Sequence, residues 1–296
     1  MPFEYLALLA AVCWAVGSLL SATASSHLGA FAFTRWRLAC AASMLWLWAY
    51  FSGGFTTLAL PQLPLLAISA LIGILIGDTS LFASMNRLGP RRAGVLFATH
   101  AMFSVLLAYL FLDESIWGWT LVGCGLLSSG VMTAIVLGRR AEEQHHWESN
   151  QSQLRSGIAL GLTSALCQAA STLMLKPLME TDIDAVSASA VRMTVALFAH
   201  LLLFWAGFKV ARVYLPMTKK VFAMVFVNAG LSMVIGMTLI LQALKTGDAG
   251  LIGMLSSVSP VLVVPLLWLV YKRRPALGAW LGASLTVAGT VLILWH

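Results

Sequence analysis

The chain has 296 residues, of which 60% are hydrophobic and only 10% are charged, and its mean hydropathy is +0.89. Soluble domains carry about 25% charged residues, so this composition disfavours a soluble all-helical protein, whose helices would need polar faces. The net charge of +7 does not indicate nucleic-acid binding, because the basic residues concentrate on one set of loops between apolar runs.

Ten apolar runs follow one another along the chain, and each is long enough to cross ~30 Å of hydrocarbon as a helix of about 20 residues. We place the spans at 3–22, 30–51, 63–84, 91–112, 117–137, 157–177, 185–207, 219–243, 249–271 and 276–295. The only sizeable hydrophilic segment is the linker 138–156, which is too short for a soluble domain. The sequence therefore predicts an all-α, polytopic membrane protein.

The charges of the loops differ between the two sides of the predicted bundle. Basic residues lie at 87–92, 139–155, 209–220 and 272–274, whereas most acidic loop residues lie at 113–114, 180–184 and 248. The positive-inside rule places the basic loops in the cytoplasm and both termini outside, in a membrane that we expect to be the bacterial inner membrane. The first residues, MPFEY, lack a basic segment and a cleavage site, so we expect the first span to be retained.

A constant spacing relates the two halves of the chain. Glycines recur 159 residues apart at 77 and 236, 94 and 253, 123 and 282, and 130 and 289, and the first two spans repeat at offsets of about 154–157. Two five-helix repeats follow, residues 1–137 and 157–296, and because five is odd they are inverted relative to each other. Inverted repeats are typical of secondary transporters, which open a midplane site to each side in turn. The alternative is a duplication retained for stability alone.

Residues at several characteristic positions point to a family. Trp14 lies in the first span, Arg35 and Arg37 in the second, Arg192 in the seventh and Pro260 in the ninth, and Glu114 closes the fourth. With the paired glycines, this order resembles the drug/metabolite transporter superfamily, specifically its ten-helix, two-repeat EamA-type branch, over nearly the whole chain. The resemblance implies a carrier of small solutes. The chain departs from the family pattern at Ala101, where proline is usual, and at Arg273, where the second copy would have a glutamate.

Ionisable residues inside the spans need a reason, because each costs about 2.5–3.5 kcal/mol at a helix centre. Arg35, Arg37, Asp78 and His100 all lie ~8–14 Å from the same membrane surface when counted along their spans. Asp78 is therefore predicted to pair with Arg35 or Arg37, with His100 nearby, whereas the second repeat has Met237 in its place. Three roles stay open: a fixed ion pair, an inner gate that opens with the transport cycle, and a proton-coupling site at Asp78 or His100.

Four further residues are candidates for substrate binding or gating. Arg192 is the inverted counterpart of the Arg35 and Arg37 level, and His200 lies near mid-span. Trp14 lies where a pocket could form, and Gln168 is an uncharged polar residue in the sixth span. The alternative for His200 and Gln168 is helix packing or an interhelical hydrogen bond. The four cysteines fall within spans without metal-binding spacing, so we expect no metal site and no cofactor.

The sign of the charges inside the membrane favours one class of substrate. Residues 6–20 of the first span and 158–174 of the sixth contain no carboxylate, whereas the four-helix multidrug branch of the superfamily uses a glutamate in its first helix to exchange protons for cationic drugs. Three arginines against one aspartate suit a carboxylate-bearing or zwitterionic solute, because arginine pairs bidentately with carboxylates. The sequence therefore predicts export of amino acids or related small metabolites by alternating access.

Several alternatives to this function stay open. The runner-up is exchange of phosphorylated or other anionic metabolites, and multidrug export is a further alternative. An intramembrane enzyme is disfavoured, because no second deep aspartate accompanies Asp78 to share a proton. We expect the protein to act in the lipid bilayer as a monomer or homodimer, with a small-molecule substrate and no nucleic-acid partner.

Overall fold

The structure is a computed structural model, and it describes residues 2–114, 117–137, 151–208, 215–259, 261–263, 266 and 277–295. These residues form helices and short connections, with no strand among them, which confirms the all-α prediction. Pro260, Arg273 and the linker segment 138–150 lie outside the described residues.

Ten helices are present in the described part of the chain. They are α1 (Phe3–Leu28), α2 (Ala30–Ser52), α3 (Leu60–Gly89), α4 (Arg92–Phe111), α5 (Gly118–Leu137), α6 (Gln151–Met179), α7 (Ala185–Trp205), α8 (Lys219–Leu244), α9 (Ala249–Ser256) and α10 (Leu277–Trp295). By length and composition seven can cross a membrane, namely α1, α3, α4, α6, α7, α8 and α10. The other three fall short of that standard: α2 contains two arginines among its 23 residues, and the apolar stretches of α5 and α9 are shorter.

The first helix is longer than predicted. It ends at Leu28, six residues beyond the predicted end at 22, although this last part is rich in serine and alanine. The serine hydroxyls donate to backbone carbonyls within the helix, as Ser21 does to Ser18 and Ser26 to Thr23. Small buried residues, including Ala24, keep this part of α1 inside the bundle. Apolarity alone therefore underestimates the length of α1.

Contacts among chain segments define two ends of the bundle. The basic end is the end at which α1 is followed by α2. There Ser25 donates to Asn86 Oδ1 at 3.0 Å, joining α1 to the last turns of α3, and Ser84 donates to the Gly157 carbonyl at 2.8 Å, joining α3 to the start of α6. The predicted basic loops follow these helix ends.

The opposite, acidic end joins the remaining connections. The Asp184 amide before α7 donates to Thr57 Oγ1 in the α2–α3 connection at 2.8 Å. The Glu114 carboxylate after α4 accepts the backbone N–H groups of Ala249 and Gly250 at 2.8 and 2.9 Å, at the start of α9. Helix α1 thus runs from the acidic to the basic end and α6 runs the opposite way. The two halves are inverted relative to each other, as predicted.

The packing of the helices follows the same two-fold relation. Helix α2 packs on α7, α4 on α9 and α5 on α10, so each of these helices contacts its own counterpart. Helix α1 packs along α8, and its counterpart α6 packs along α3, the counterpart of α8. The α5–α10 contact is close because the backbones of Gly123 and Gly289 touch, as do those of Gly130 and Gly282. These glycine faces join the two halves.

Irregular helix turns occur at the same place in both halves. Helices α3 and α8 each contain eight residues of π-helix, Leu71–Asp78 and Ala229–Gly236. Such stretches are rare and are frequent at functional sites. In addition, α3 is separated from α4 at Gly89, whose φ of 81° favours glycine. The break falls between the predicted third and fourth spans, 63–84 and 91–112, whereas the π-helical stretches were not predicted.

Candidate functional site

The centre of the candidate site is a buried ion pair between α2 and α3. Arg37 Nη2 lies 2.6 Å from Asp78 Oδ2, and the two side chains are 4% and 13% exposed. Arg37 lies on the buried face of α2, four residues after Phe33 and four before Ala41. Asp78 is the last residue of the π-helical stretch of α3. The predicted pairing of Asp78 is therefore present, and Arg37 is the partner.

Aromatic rings surround the two arginines of α2. The Arg37 guanidinium carbon lies 4.7 Å from the ring centroid of Phe82 and 5.4 Å from that of Phe33. Arg35 lies instead over the ring of Phe204 on α7, at 4.3 Å. An aromatic face stabilises a cation by about 0.5–2 kcal/mol, with the larger values at desolvated sites. The rings therefore stabilise positive charge where water is scarce.

Arg192 forms a second cluster towards the acidic end. Its Nε donates to Ser69 Oγ on α3 at 3.1 Å, and its Nη2 donates to Ser171 Oγ on α6 at 2.8 Å. Ser171 in turn donates to the Ser69 carbonyl at 2.8 Å. The side chain is 2% exposed, and its Nη1 has no hydrogen-bond partner. Arg192 is thus a buried cation with neutral partners and one unused N–H group.

Arg37 and Arg192 occupy equivalent positions in the two halves. Arg37 is seven residues after the first residue of α2, and Arg192 is seven residues after the first residue of α7 (37 − 30 and 192 − 185). The order of buried and exposed residues after them is also nearly the same in both helices. Because the halves are inverted, one arginine lies towards the basic end and the other towards the acidic end.

Asp78 is the only carboxylate between these two arginines among the described residues. It is bonded to Arg37 and also interacts electrostatically with Arg192. Its equivalent in α8, 159 residues later, is the buried Met237. The cluster therefore contains one negative charge that two related cations share.

His200 belongs to the same cluster. Its Nε2 lies 3.2 Å from Thr79 Oγ1, next to Asp78, and its ring contacts Phe31 edge to face with centroids 5.6 Å apart. It also interacts electrostatically with Arg35 and Arg37, and its Nδ1 has no hydrogen-bond partner. The structure therefore brings His200 to the ion pair, which the sequence analysis had not placed there.

His100 lies elsewhere. Its Nδ1 is 2.9 Å from the Phe97 carbonyl, its ring packs on that of Phe97, and its Nε2 faces the backbone of Gly253 on α9 without a bond of good geometry. No hydrogen bond or ion pair among the described residues joins His100 to Asp78. The expected proximity of these two residues stays a prediction.

Trp14 and Gln168 are equivalent residues of α1 and α6, 154 positions apart. Trp14 Nε1 donates to the Ser232 carbonyl in the π-helical stretch of α8 at 3.0 Å, and its ring packs against Gly236. Gln168 is 7% exposed. Trp14 therefore faces the π-helical stretch of α8, and among the described residues no hydrogen bond joins Trp14 or Gln168 to the Arg37–Asp78 pair.

Two contacts between small residues correspond to each other in the two-fold relation of the halves. In α1 and α8, a side chain at Gly17 would meet Ser232; in α6 and α3, a side chain at Gly73 would meet Ser171. Gly17 is equivalent to Ser171, and Gly73 to Ser232. Next to them, Asn228 Nδ2 donates to the Gly17 carbonyl at 2.8 Å, and Asn228 is the equivalent of Ser69. Glycine and serine have exchanged places between the halves.

The sequence analysis missed the serines that bind Arg192. Ser69 and Ser171 are common helix residues, and nothing in their local sequence marks them. The repeat offsets carry the missing signal: an offset of 159 aligns Ser69 with the polar Asn228, and an offset of 154 aligns Ser171 with Gly17. Because Ser69 recurs as a polar residue at 228, it is a candidate partner of the arginine.

A crevice near the site is apolar and does not include the charged residues. It has a volume of about 380 Å³, lies at the acidic end between α2 and α7, and is lined by Trp46, Leu58, Ala59, Leu60, Leu63, Val191, Thr194 and Val195. Arg37 and Asp78 instead contact each other, and Arg192 contacts two serines.

Comparison with known proteins agrees with this architecture. The EamA-like transporter family matches residues 1–136 and 155–295, one match for each half. A protein of known crystal structure superposes with a TM-score of 0.78 at 15% identity, over 98% of this chain and 95% of the other, and 29 solved chains match in all. An identity this low shows the fold alone. No curated protein sequence matches the chain.

The family match, the ten helices in two inverted halves and the seven apolar spans agree with one another. They describe an integral, multi-pass membrane protein with two related halves. This chain therefore belongs to the EamA-like transporter family.

Proposed function

We propose that this protein is a secondary transporter that exports amino acids or related small zwitterionic or anionic metabolites by alternating access. The observation that carries the proposal is the equivalence of Arg37 and Arg192, two buried arginines that face opposite ends of the bundle and share one carboxylate, Asp78. The substrate class and the direction of transport are both part of the proposal.

The charge balance of the cluster supports a substrate with a carboxylate. Arg37 and Arg192 carry two positive charges against the single negative charge of Asp78. A buried charge without a partner is unfavourable, and the unused Nη1 group of Arg192 is a donor inside the protein. A substrate carboxylate can accept from this group and offset the excess charge, because arginine–carboxylate hydrogen bonds are among the strong ones.

The same cluster offers an acceptor for an amino group. Asp78 lies beside Arg37 and within electrostatic range of Arg192. A zwitterion that places its carboxylate on an arginine can place its ammonium group on Asp78. Such a molecule brings both charges with it, so it adds no net charge to the cluster.

Alternating access is supported by the inverted repeats, because two halves of opposite orientation can exchange conformations and open the site to each face in turn. We further propose that the repeats comprise residues 1–137 and 157–296, that the membrane is the bacterial inner membrane, and that the basic end is cytoplasmic. Both termini then lie outside, and export runs from the basic to the acidic end. Thiol labelling of single cysteines introduced at Ser26 and Glu180, in intact cells, tests the orientation: we expect labelling at Glu180 only, and the reverse pattern would invert it.

One observation favours a second candidate, exchange of phosphorylated or other anionic metabolites. Arg35 is a third buried arginine beside the ion pair, and a doubly charged phosphate needs more than one cation. Multidrug export lacks comparable support, because α1 contains no carboxylate after Glu4 and α6 contains none.

The experiment that tests the proposal measures ligand-induced thermal stabilisation and then counterflow. A ligand that binds the folded protein stabilises it by mass action. We expect purified protein to be stabilised by one or a few amino acids, but not by the matching amino acid amides, which lack the carboxylate. Proteoliposomes loaded with the stabilising amino acid should accumulate the labelled form by counterflow.

Other results would replace the proposal. Stabilisation by phosphorylated sugars alone would support the second candidate, and stabilisation by lipophilic cations would support multidrug export. Binding of an amino acid without counterflow would indicate a receptor instead of a carrier. The oligomeric state, proposed as monomer or homodimer, is measured on the same sample by light scattering.

A further inference from the structure

A bond between the two halves lacks its symmetry-related counterpart. Arg192 Nε, in the second half, donates to Ser69 Oγ, in the first half, at 3.1 Å. The equivalents of these residues are Arg37 and Asn228, which are related to them by the offsets of 155 and 159. In this conformation Arg37 is bonded to Asp78 instead, and no hydrogen bond joins it to Asn228.

The missing bond leaves two complementary groups unused. Arg37 Nε is a buried donor without an acceptor, and Asn228 Oδ1 is a buried acceptor without a donor. Each such group is unfavourable, and each needs an explanation because nearly all buried polar atoms are bonded. Helix α2 packs along the part of α8 that contains Asn228, so both groups lie in one interface.

The inverted repeats give a reason why the bond between Arg37 and Asn228 is missing. When the halves exchange conformations, the first half takes the arrangement that the second half shows here. Arg37 then takes the place that Arg192 has now, and its Nε meets the equivalent of Ser69. We propose that Asn228 is the second partner of Arg37, and that Arg37 moves from Asp78 to Asn228 when the protein changes the face to which it opens. This step rests on the alternating access proposed above.

The move changes the charge of the cluster. Asn228 is held by its bond to the Gly17 carbonyl and carries no charge, so it positions Arg37 without neutralising it. Asp78, once released, is available to an ammonium group, and Arg37 is available to a carboxylate. Asn228 is therefore a positioning residue that creates a binding-competent state.

The basic end provides a reporter that needs no substrate. The Arg37–Asp78 pair ties α3 to the hairpin of α1 and α2, and eight residues further along α3 Asn86 is bonded to Ser25 of α1. Loss of the ion pair should release this contact as well. The rate of disulfide formation between cysteines at positions 25 and 86 therefore measures the population in which Arg37 is on Asp78.

Two substitutions of Asn228 should move this rate in opposite directions. Both Asn228→Leu and Asn228→Asp remove the donor to Gly17, so a merely structural role predicts the same change for both. Asn228→Leu removes the acceptor, and we expect the cross-linking rate to rise about twofold or more, because a lost partner shifts the population towards the other state. Asn228→Asp offers Arg37 a charged acceptor, and we expect the rate to fall by about the same factor.

The control is Asn228→Ser, which copies Ser69 and should leave the rate close to that of the parent, and single-cysteine variants correct for reaction with native cysteines. Equal changes in the Leu and Asp variants, or no change in either, would overturn the proposal. If either variant does not fold, Asp78→Asn decides: we expect a lower rate, and an unchanged or higher rate would overturn it. Because no substrate is present, failure of this test is distinct from failure of the amino-acid proposal.

Discussion

Arg37 and Arg192 are equivalent residues of the two halves, yet only Arg37 is bonded to a carboxylate. Arg192 is bonded to two serine hydroxyls, and the position that would supply its carboxylate is Met237. The two halves thus have the same backbone plan and different charge. This asymmetry means that a change of conformation, even one that exchanges the shapes of the halves, does not exchange their electrostatics. Each of the predictions below concerns a contact that differs or recurs between the halves.

Single and double variants of Arg37 and Asp78 distinguish a structural role of this ion pair from a role in transport. Removing one member of a buried pair leaves an unpaired charge and costs about 3–5 kcal/mol, whereas replacing both by apolar residues is often nearly neutral. We expect Asp78→Leu to lower the melting temperature strongly and the double variant Arg37→Met with Asp78→Leu to recover most of it. Counterflow should stay lost in the double variant. Recovery of counterflow would assign the pair a structural role only.

A milder change at the same residue tests the transport cycle. Asp78→Asn keeps the volume and hydrogen-bonding capacity but removes the charge that holds Arg37. We expect counterflow to fall, while solute binding, measured by thermal shift, weakens less and persists through the arginines that bind the substrate carboxylate. Counterflow at the parental rate would show that the charge has no part in the cycle.

Arg192 is predicted to bind the substrate carboxylate. We expect Arg192→Ala to weaken transport by about tenfold or more, because charge-assisted hydrogen bonds contribute about 1.5–3 kcal/mol. The amount of folded protein should change little. The control is Ser171→Ala, which removes one partner of Arg192 and leaves the bond to Ser69. Normal counterflow in the Arg192 variant would remove this residue from the site.

Glu114 is predicted to stabilise the start of α9. Its carboxylate accepts two backbone N–H groups that the helix itself leaves unbonded. We expect Glu114→Ala to lower the free energy of unfolding by about 1–2 kcal/mol, the range for loss of a helix cap, and Glu114→Gln to have a smaller effect. Glu180→Ala serves as the control, because Glu180 forms an exposed ion pair with Lys176 that contributes little. Equal melting temperatures of the Glu114→Ala and Glu180→Ala variants would contradict the prediction.

The close approach of α1 and α8 depends on Gly17. A methyl group there would collide with the Ser232 hydroxyl, so we expect Gly17→Ala to lower the free energy of unfolding by about 1–3 kcal/mol. Ser232→Gly in the same chain should restore most of it. Gly125→Ala is the matched control, because a methyl group at Gly125 meets nothing within 4 Å. A Gly17→Ala variant as stable as the control would show that α1 and α8 accommodate the methyl group without loss of stability.

The sequence predicts the helical spans and the inversion well, because both follow from apolar length and an odd helix count. It could not choose between Arg35 and Arg37. Side chains two positions apart point about 200° apart on a helix, so only one can face Asp78, and the rotation of α2 is set by packing on α7 and α8. The structure shows that Arg37 has this orientation.

The position of His100 shows the same limit of a prediction from sequence. Counting along a span gives the depth of a residue but not its direction around the helix. His100 lies in a helix that packs on α9, and its ring faces Gly253. The π-helical stretches are equally invisible to counting, since the residues of Leu71–Asp78 are as apolar as their neighbours. Tertiary packing decides all of these features.

The backbone contact between α5 and α10 leaves no space for sliding, since glycine faces glycine at two levels. For the proposed alternating access we expect motion to be confined to the other helices and this pair to act as a fixed spine. Probes attached to the lipid-facing surface of the spine, for example at Val122 and Val287, should keep one separation throughout the cycle. They provide an internal ruler against which displacement of every other helix can be read.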